Sequence, residues 1–188
     1  MSTPAHAWPL IARFRNAEAR LGRIASKRAS SAALYEFLRF GLKQAWACLF
    51  GGAMVVLLVA THLGWPTTFA LARPDALFLG ALAIQIAMLV LRLETLDEAK
   101  VILAYHVIGT IMEVFKTDVG SWVYVGHAFF RIGGVPLFSG FMYASIGSYI
   151  ARCWRLFAFR FTGHPPLRTL ALLAAAIYAN FYTHHYLI

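Results

Sequence analysis

The chain has 188 residues, 60% of them hydrophobic and 13% charged. An ordinary soluble domain is about 45–50% apolar and about 25% charged, so an ordinary soluble domain is a poor fit. Seventeen Lys and Arg against eight Asp and Glu give a net charge of +9. With charges collected between apolar runs, that excess reads as basic loops on anionic lipid. Nucleic acid is not expected as a partner, because no basic stretch carries the aromatic stacking pattern of a single-strand binder. The expected fold is all-α, a polytopic transmembrane helical bundle of about five spans preceded by an N-terminal amphipathic, interfacial helix.

Residues 1–33 form a basic segment containing Arg13, Arg15, Arg20, Arg23, Lys27 and Arg28. Ile11, Phe14, Leu21 and Ile24 are loosely spaced for an amphipathic helix. Two readings stand side by side: an anchor on anionic headgroups, or a solvated basic tail. Residues 34–188 form one transmembrane domain. It opens on an interfacial helix over 34–44, where Leu34, Phe37, Leu38 and Leu42 make an apolar stripe. The spans are predicted at about 45–63, 75–91, 99–115, 135–154 and 167–187. Gly64-Trp65-Pro66 breaks the chain after the first, and Arg73-Pro74 opens the second. Glu94, Asp97 and Glu98 with Arg92 and Lys100 read as a solvated, ion-paired turn before the third.

Lys and Arg counts orient the bundle. Eight precede the first span, two join the second to the third, and four join the fourth to the fifth; three lie on the other side. The N-terminus is therefore expected in the cytoplasm and the C-terminus outside, in a bacterial cytoplasmic membrane. No cleavable signal peptide is expected, since the first long apolar run starts near residue 45. Cys48 and Cys153 are read as free packing residues. The chain stops while still apolar, and the expectation is that it is C-terminally incomplete.

The polar residues of the spans mark the candidate site. Glu113 and His106 lie seven positions apart on one helix face, and an acid in a bilayer helix faces protein or water. Topology puts Glu113 toward the outer face. Asn180, His184 and His185 of the fifth span, Ser139 and Tyr143 of the fourth, and Thr61 and His62 of the first share that depth. Glu113, His184 and Asn180 are the candidate catalytic residues. His106, Lys116, Arg131, Ser139, Tyr143 and His185 are the candidate binding residues. Glu113 with three histidines could ligate zinc or iron, but the spacing fits no strong ligand pattern. A metal is not favoured, and the cofactor is left unknown. Gly133-Gly134 beside Arg131 reads as a turn into a helix in preference to a phosphate cradle. Gly140, Ala144, Gly147 and Ala151 form a small-residue packing stripe.

Five segments carry a resemblance: 37–46 (FLRFGLKQAW), 91–101 (LRLETLDEAKV), 109–124 (GTIMEVFKTDVGSWVY), 131–155 (RIGGVPLFSGFMYASIGSYIARCWR) and 177–185 (IYANFYTHH). In these the chain resembles the bacterial membrane protein family known as domain of unknown function 817, which is YoaT-like. The resemblance implies a polytopic membrane protein and no particular activity. Family members continue with further spans beyond the Thr-His-His segment. Glu113, Gly120, Trp122 and Tyr124 are also similar to a Glu, Gly and aromatic exit in bacterial carotenoid-modifying membrane hydratases.

Three functions are carried forward, and whether the chain is an enzyme is left open. The first is an integral membrane protein of unassigned activity with a polar cluster in its outer half. The second is a membrane enzyme acting on an isoprenoid, carotenoid or other lipid, with Glu113 as general acid or base. The third is a transporter of a small solute or of protons, ranked below because no inverted repeat or broken helix pair is marked.

Overall fold

Proline and glycine set most of the boundaries. The computed structural model describes residues 29–66, 68–157 and 159–184, together with Gly22. Six helices and one small hairpin lie among them: α1 (Ala29–Ala47), α2 (Leu49–Gly64), α3 (Arg73–Val90), α4 (Leu96–Asp118), β1 (Arg131–Ile132), β2 (Val135–Pro136), α5 (Phe138–Leu156) and α6 (Leu167–Thr183). The all-α class stands. Most of the predicted basic segment over 1–33, and His185, lie outside the described residues.

The chain divides into two compact units, Met1–Trp46 and Ala47–Ile188. In the first, α1 takes in the whole predicted interfacial helix and exposes Leu34, Phe37, Leu38 and Leu42. Its end at Ala47 falls inside the predicted first span, so that apolar run is shared between two helices.

In the second unit, α2 stops at Gly64 because Trp65 precedes Pro66 and takes an extended conformation. Pro74 sits in the first turn of α3, where its missing N–H costs nothing. Arg73 ties the two helices, its Nε donating to Thr61 Oγ1 at 3.3 Å and its Nη2 to Leu58 O at 3.2 Å. The fourth predicted span begins late, at Phe138, because Arg131–Pro136 forms an antiparallel pair first. Gly133 and Gly134 turn that hairpin with φ of +56° and +81°, which only glycine adopts readily at two successive positions.

The core is apolar. Phe50 and Met54 of α2, Leu77, Ala81 and Met88 of α3, Ile102 of α4, and Phe138, Phe141 and Ala144 of α5 pack together. α4 and α5 run antiparallel in close contact, and the small-residue stripe explains how. A Cβ on Gly140 would collide with Thr110 and His106, one on Gly147 with the Tyr105 ring at 2.7 Å, and one on Gly109 with the Tyr143 ring at 2.5 Å. Small residues thus bring the two backbones near enough for polar side chains to meet between them.

Helix length and apolarity support less than five spans. Among the described residues α3 alone is long and apolar enough to cross a bilayer, with mean hydropathy 1.5, and α1 and α2 reach that measure only together. α4 has the length but carries six charged residues.

Candidate functional site

α4 places an acid at each end. Its start is a capping box: Thr95 Oγ1 accepts from Glu98 N, and Glu98 Oε2 accepts from Thr95 N at 2.7 Å. Its end is a Schellman turn. Gly120 has φ +74°, its N–H bonds Thr117 O at 3.2 Å, and Ser121 N–H bonds Lys116 O at 2.9 Å. This turn leads the chain into a stretch over 122–125 that is neither helix nor strand. Trp122 and Tyr124, two positions apart, return to the same place.

That place is Glu113, which is 6% exposed. Its Oε2 accepts from Trp122 Nε1 at 2.9 Å and from Tyr124 OH at 2.6 Å; its Oε1 accepts from Tyr143 OH at 2.6 Å. All three donors are neutral aromatics. Among the described residues Glu113 makes no ion pair: the Lys116 amine lies over the Phe181 ring, 4.4 Å from its centroid. Burial pushes the Tyr124 phenol up to about 12, and the bond to Glu113 adds to the rise; Ser139 and Trp122 act the other way.

The loop bearing Trp122 and Tyr124 is pinned by two charges. Asp75, buried in the first turn of α3, accepts from Phe129 N at 2.8 Å and Phe130 N at 2.9 Å. Arg131 donates to Tyr124 O at 3.2 Å, Gly126 O at 2.7 Å and Gly134 O. These contacts meet backbone groups that would otherwise lack partners. Arg131 is thus occupied with its own loop.

Ser139 stays with this cluster: it is buried, reaches the Tyr124 phenol and donates to Pro136 O at 2.9 Å. The remaining candidates are dispersed. His106 packs on Phe141 at 4.4 Å, with its buried Nδ1 lacking a hydrogen bond. Asn180 is exposed, and the His184 ring nitrogen bonds the Asn180 and Phe181 carbonyls of its own helix. Hence the structure joins Glu113 to Tyr143, while the hydrogen bonds to Glu113 do not come from α6. Among the described residues no three His, Cys, Asp or Glu side chains are grouped to hold a metal. A cavity of about 640 Å³ lies between α4, the hairpin turn and α6, lined by residues such as Val114, Thr117, Asp118 and Tyr182 but not Glu113.

The opposite end of α4 corrects the expected solvated turn. Glu94 and Glu98 are buried. Glu94 Oε1 pairs with Arg152 Nη2 at 3.2 Å, both side chains being 0% exposed, and accepts from Ser148 Oγ at 3.3 Å. Gln85 Nε2 donates to Glu94 Oε2 at 2.5 Å. Glu98 Oε1 lies 3.1 Å from Arg155 Nε, close enough for an ion pair though not aligned as a hydrogen bond. Only Asp97 and Lys100 form the exposed pair expected there, and the Lys100 ammonium holds the Asp97 carboxyl below its usual range.

Residues 36–188 match the family described as Protein of unknown function (DUF817). The chain belongs to this family. Over 154 residues, 82% of this chain, it is 42% identical to "Uncharacterized protein YoaT" of Bacillus subtilis (strain 168). The matched part spans 58% of that relative's length. No solved structure matches this DUF817 chain. The match to DUF817 begins in α1 and takes in both glutamate clusters.

Proposed function

We propose that the chain is an integral protein of the bacterial cytoplasmic membrane. It crosses about five times with its N-terminus inside, and uses Glu113 as a proton-transfer group toward an apolar lipid or isoprenoid molecule. One observation carries this reading. Glu113 is a buried acid in the last turns of α4, held by Trp122, Tyr124 and Tyr143 and, among the described residues, without an ion pair. A carboxyl so placed can pass a proton through a phenol, and aromatic faces suit both an apolar chain and a developing positive charge. Because the carboxyl is enclosed, access requires the 122–125 stretch to move. In this reading the spans include helices that carry charge, since Glu98, Glu113 and Lys116 of α4 and Arg152 of α5 are buried within the protein. The basic N-terminal segment would rest on anionic headgroups.

Two measurements test the reading. In a background with Cys48→Ser and Cys153→Ala, an impermeant maleimide should label Val125→Cys, which is 96% exposed, from outside the cell. Labelling only after permeabilisation would reverse the orientation. Lipid extracts of cells making the wild type or Glu113→Gln at equal levels should then differ in one apolar species. Identical extracts would remove the proton-transfer role.

The second reading is a proton-coupled transporter. It is favoured by His106, two turns from Glu113 on α4 with its buried Nδ1 lacking a hydrogen bond. Proton uptake into proteoliposomes, lost in both His106→Gln and Glu113→Gln, would select it.

A further inference from the structure

The end of α5 carries a surface that the Glu113 site does not use. Trp154 and Phe161 stack at 5.5 Å with their rings 12° apart, and Phe159 lies 6.0 Å from Trp154 and 5.8 Å from Phe161. Phe157 adds to the row, 5.7 Å from Phe159. Trp154 ends the helix side of the row, and Phe157, Phe159 and Phe161 follow at every second position, so the rings fall together. Such rings in a soluble core would be covered, yet Trp154, Phe159 and Phe161 are 64%, 49% and 62% exposed. Arg160, within the row, and Arg168, at the start of α6, are also exposed. Neither makes a hydrogen bond or ion pair with a described residue.

The geometry points to this aromatic row as an interfacial anchor, with Arg160 and Arg168 contacting the phosphates of anionic lipid headgroups. The inference rests on the membrane reading above and adds a lipid class and a place. Two features select lipid over a protein partner. Tryptophan and phenylalanine beside unpaired arginine match the polarity step at a bilayer surface, where rings meet acyl chains and guanidinium meets phosphate. The row also lies at the α4–α5 end where Arg155 pairs with Glu98, the end that the distribution of Lys and Arg places in the cytoplasm.

The test uses the whole chain without its cysteines, in nanodiscs of phosphatidylcholine with or without phosphatidylglycerol. A fluorophore at Thr162→Cys reports on the row without altering it, and one at Ile86→Cys, on the exposed face of α3, reports on insertion. The Thr162 probe should be quenched by lipids spin-labelled near the headgroup and little by aqueous iodide. Spin-labelled phosphatidylglycerol should be preferred over phosphatidylcholine by about five-fold per arginine. The preference should be lost in Arg160→Glu/Arg168→Glu, with the Ile86 probe unchanged. Several results would overturn the anchor. The Thr162 probe could be quenched by iodide alone while the Ile86 probe meets acyl-chain labels, which leaves the membrane reading intact. It could be shielded from both quenchers and cross-link to a second chain, which makes the row a protein interface. The lipid preference could survive the double variant. Iodide quenching at both positions would remove the membrane reading and the anchor together.

Discussion

The two ends of the α4–α5 pair treat a buried glutamate in opposite ways. At one end Glu94 meets a guanidinium, Arg152, with Ser148 and Gln85 completing its bonds. At the other Glu113 meets an indole and two phenols and, among the described residues, makes no ion pair. The first arrangement cancels charge and ties the turn before α4 to α3 and α5, with Gln85, Ser148 and Arg152 all helical. The second draws two of its three donors from a loop. Burying an ion pair is costly and is recovered only with good geometry and further hydrogen bonds, so the Glu94 end reads as scaffold. A carboxyl answered by neutral groups, two of them on a loop, is better suited to changing its proton or its partner.

Removing one partner should show the contrast most strongly at the Glu94 end. Arg152→Met leaves Glu94 buried without its cation and should cost about 3–5 kcal/mol, read as a fall in unfolding temperature in detergent. Adding Glu94→Leu should restore much of the loss, and failure to do so would mean that the pair is not the source of the effect. The helix contact comes next. Gly109→Ala sets a Cβ against the Tyr143 ring and should cost about 1–3 kcal/mol through overpacking. Gly52→Ala, which meets open space, should be close to neutral.

A smaller effect should appear at alkaline pH. The folded protein holds the Tyr124 proton more tightly than the unfolded chain, with a pKa of about 12 against 10.0. This contribution is complete below pH 10 and is lost as pH rises through about 12. Tyr124→Phe should flatten that part of the stability profile; an unchanged profile would separate Tyr124 from it. The smallest effect belongs to Asp97→Asn. The Asp97–Lys100 pair is exposed, so the unfolding temperature should stay within error.

Much of this was legible in local sequence. Apolar runs bounded by Gly64-Trp65-Pro66, Arg73-Pro74 and Pro165-Pro166 located the helices, because breakers act through their own backbone. Glu113 stood out as an acid among apolar neighbours, and Tyr143 was placed at its depth. Trp122 and Tyr124 were not placed on the carboxylate, although their alternation after Gly120 was a usable signal. Asp75 with Phe129 and Phe130, and Glu94 with Arg152, lie 54 to 58 positions apart. No periodicity reports such a pairing, so charges that the chain buries read as a solvated turn. Asn180 and His184 shared a predicted depth with Glu113, yet depth along a helix does not fix which way the helix faces.

The Trp122 bond has a spectroscopic consequence. An indole N–H held by a carboxylate emits differently from one in water or lipid, so its fluorescence reports whether Glu113 is engaged. Engagement depends on Asp75 holding the loop, on α4 presenting the carboxylate, and on α5 presenting Tyr143. No piece of chain that ends before Tyr143 contains the whole arrangement. With the other four tryptophans replaced by phenylalanine, the emission of Trp122 is an optical gauge of assembly, readable without an added label.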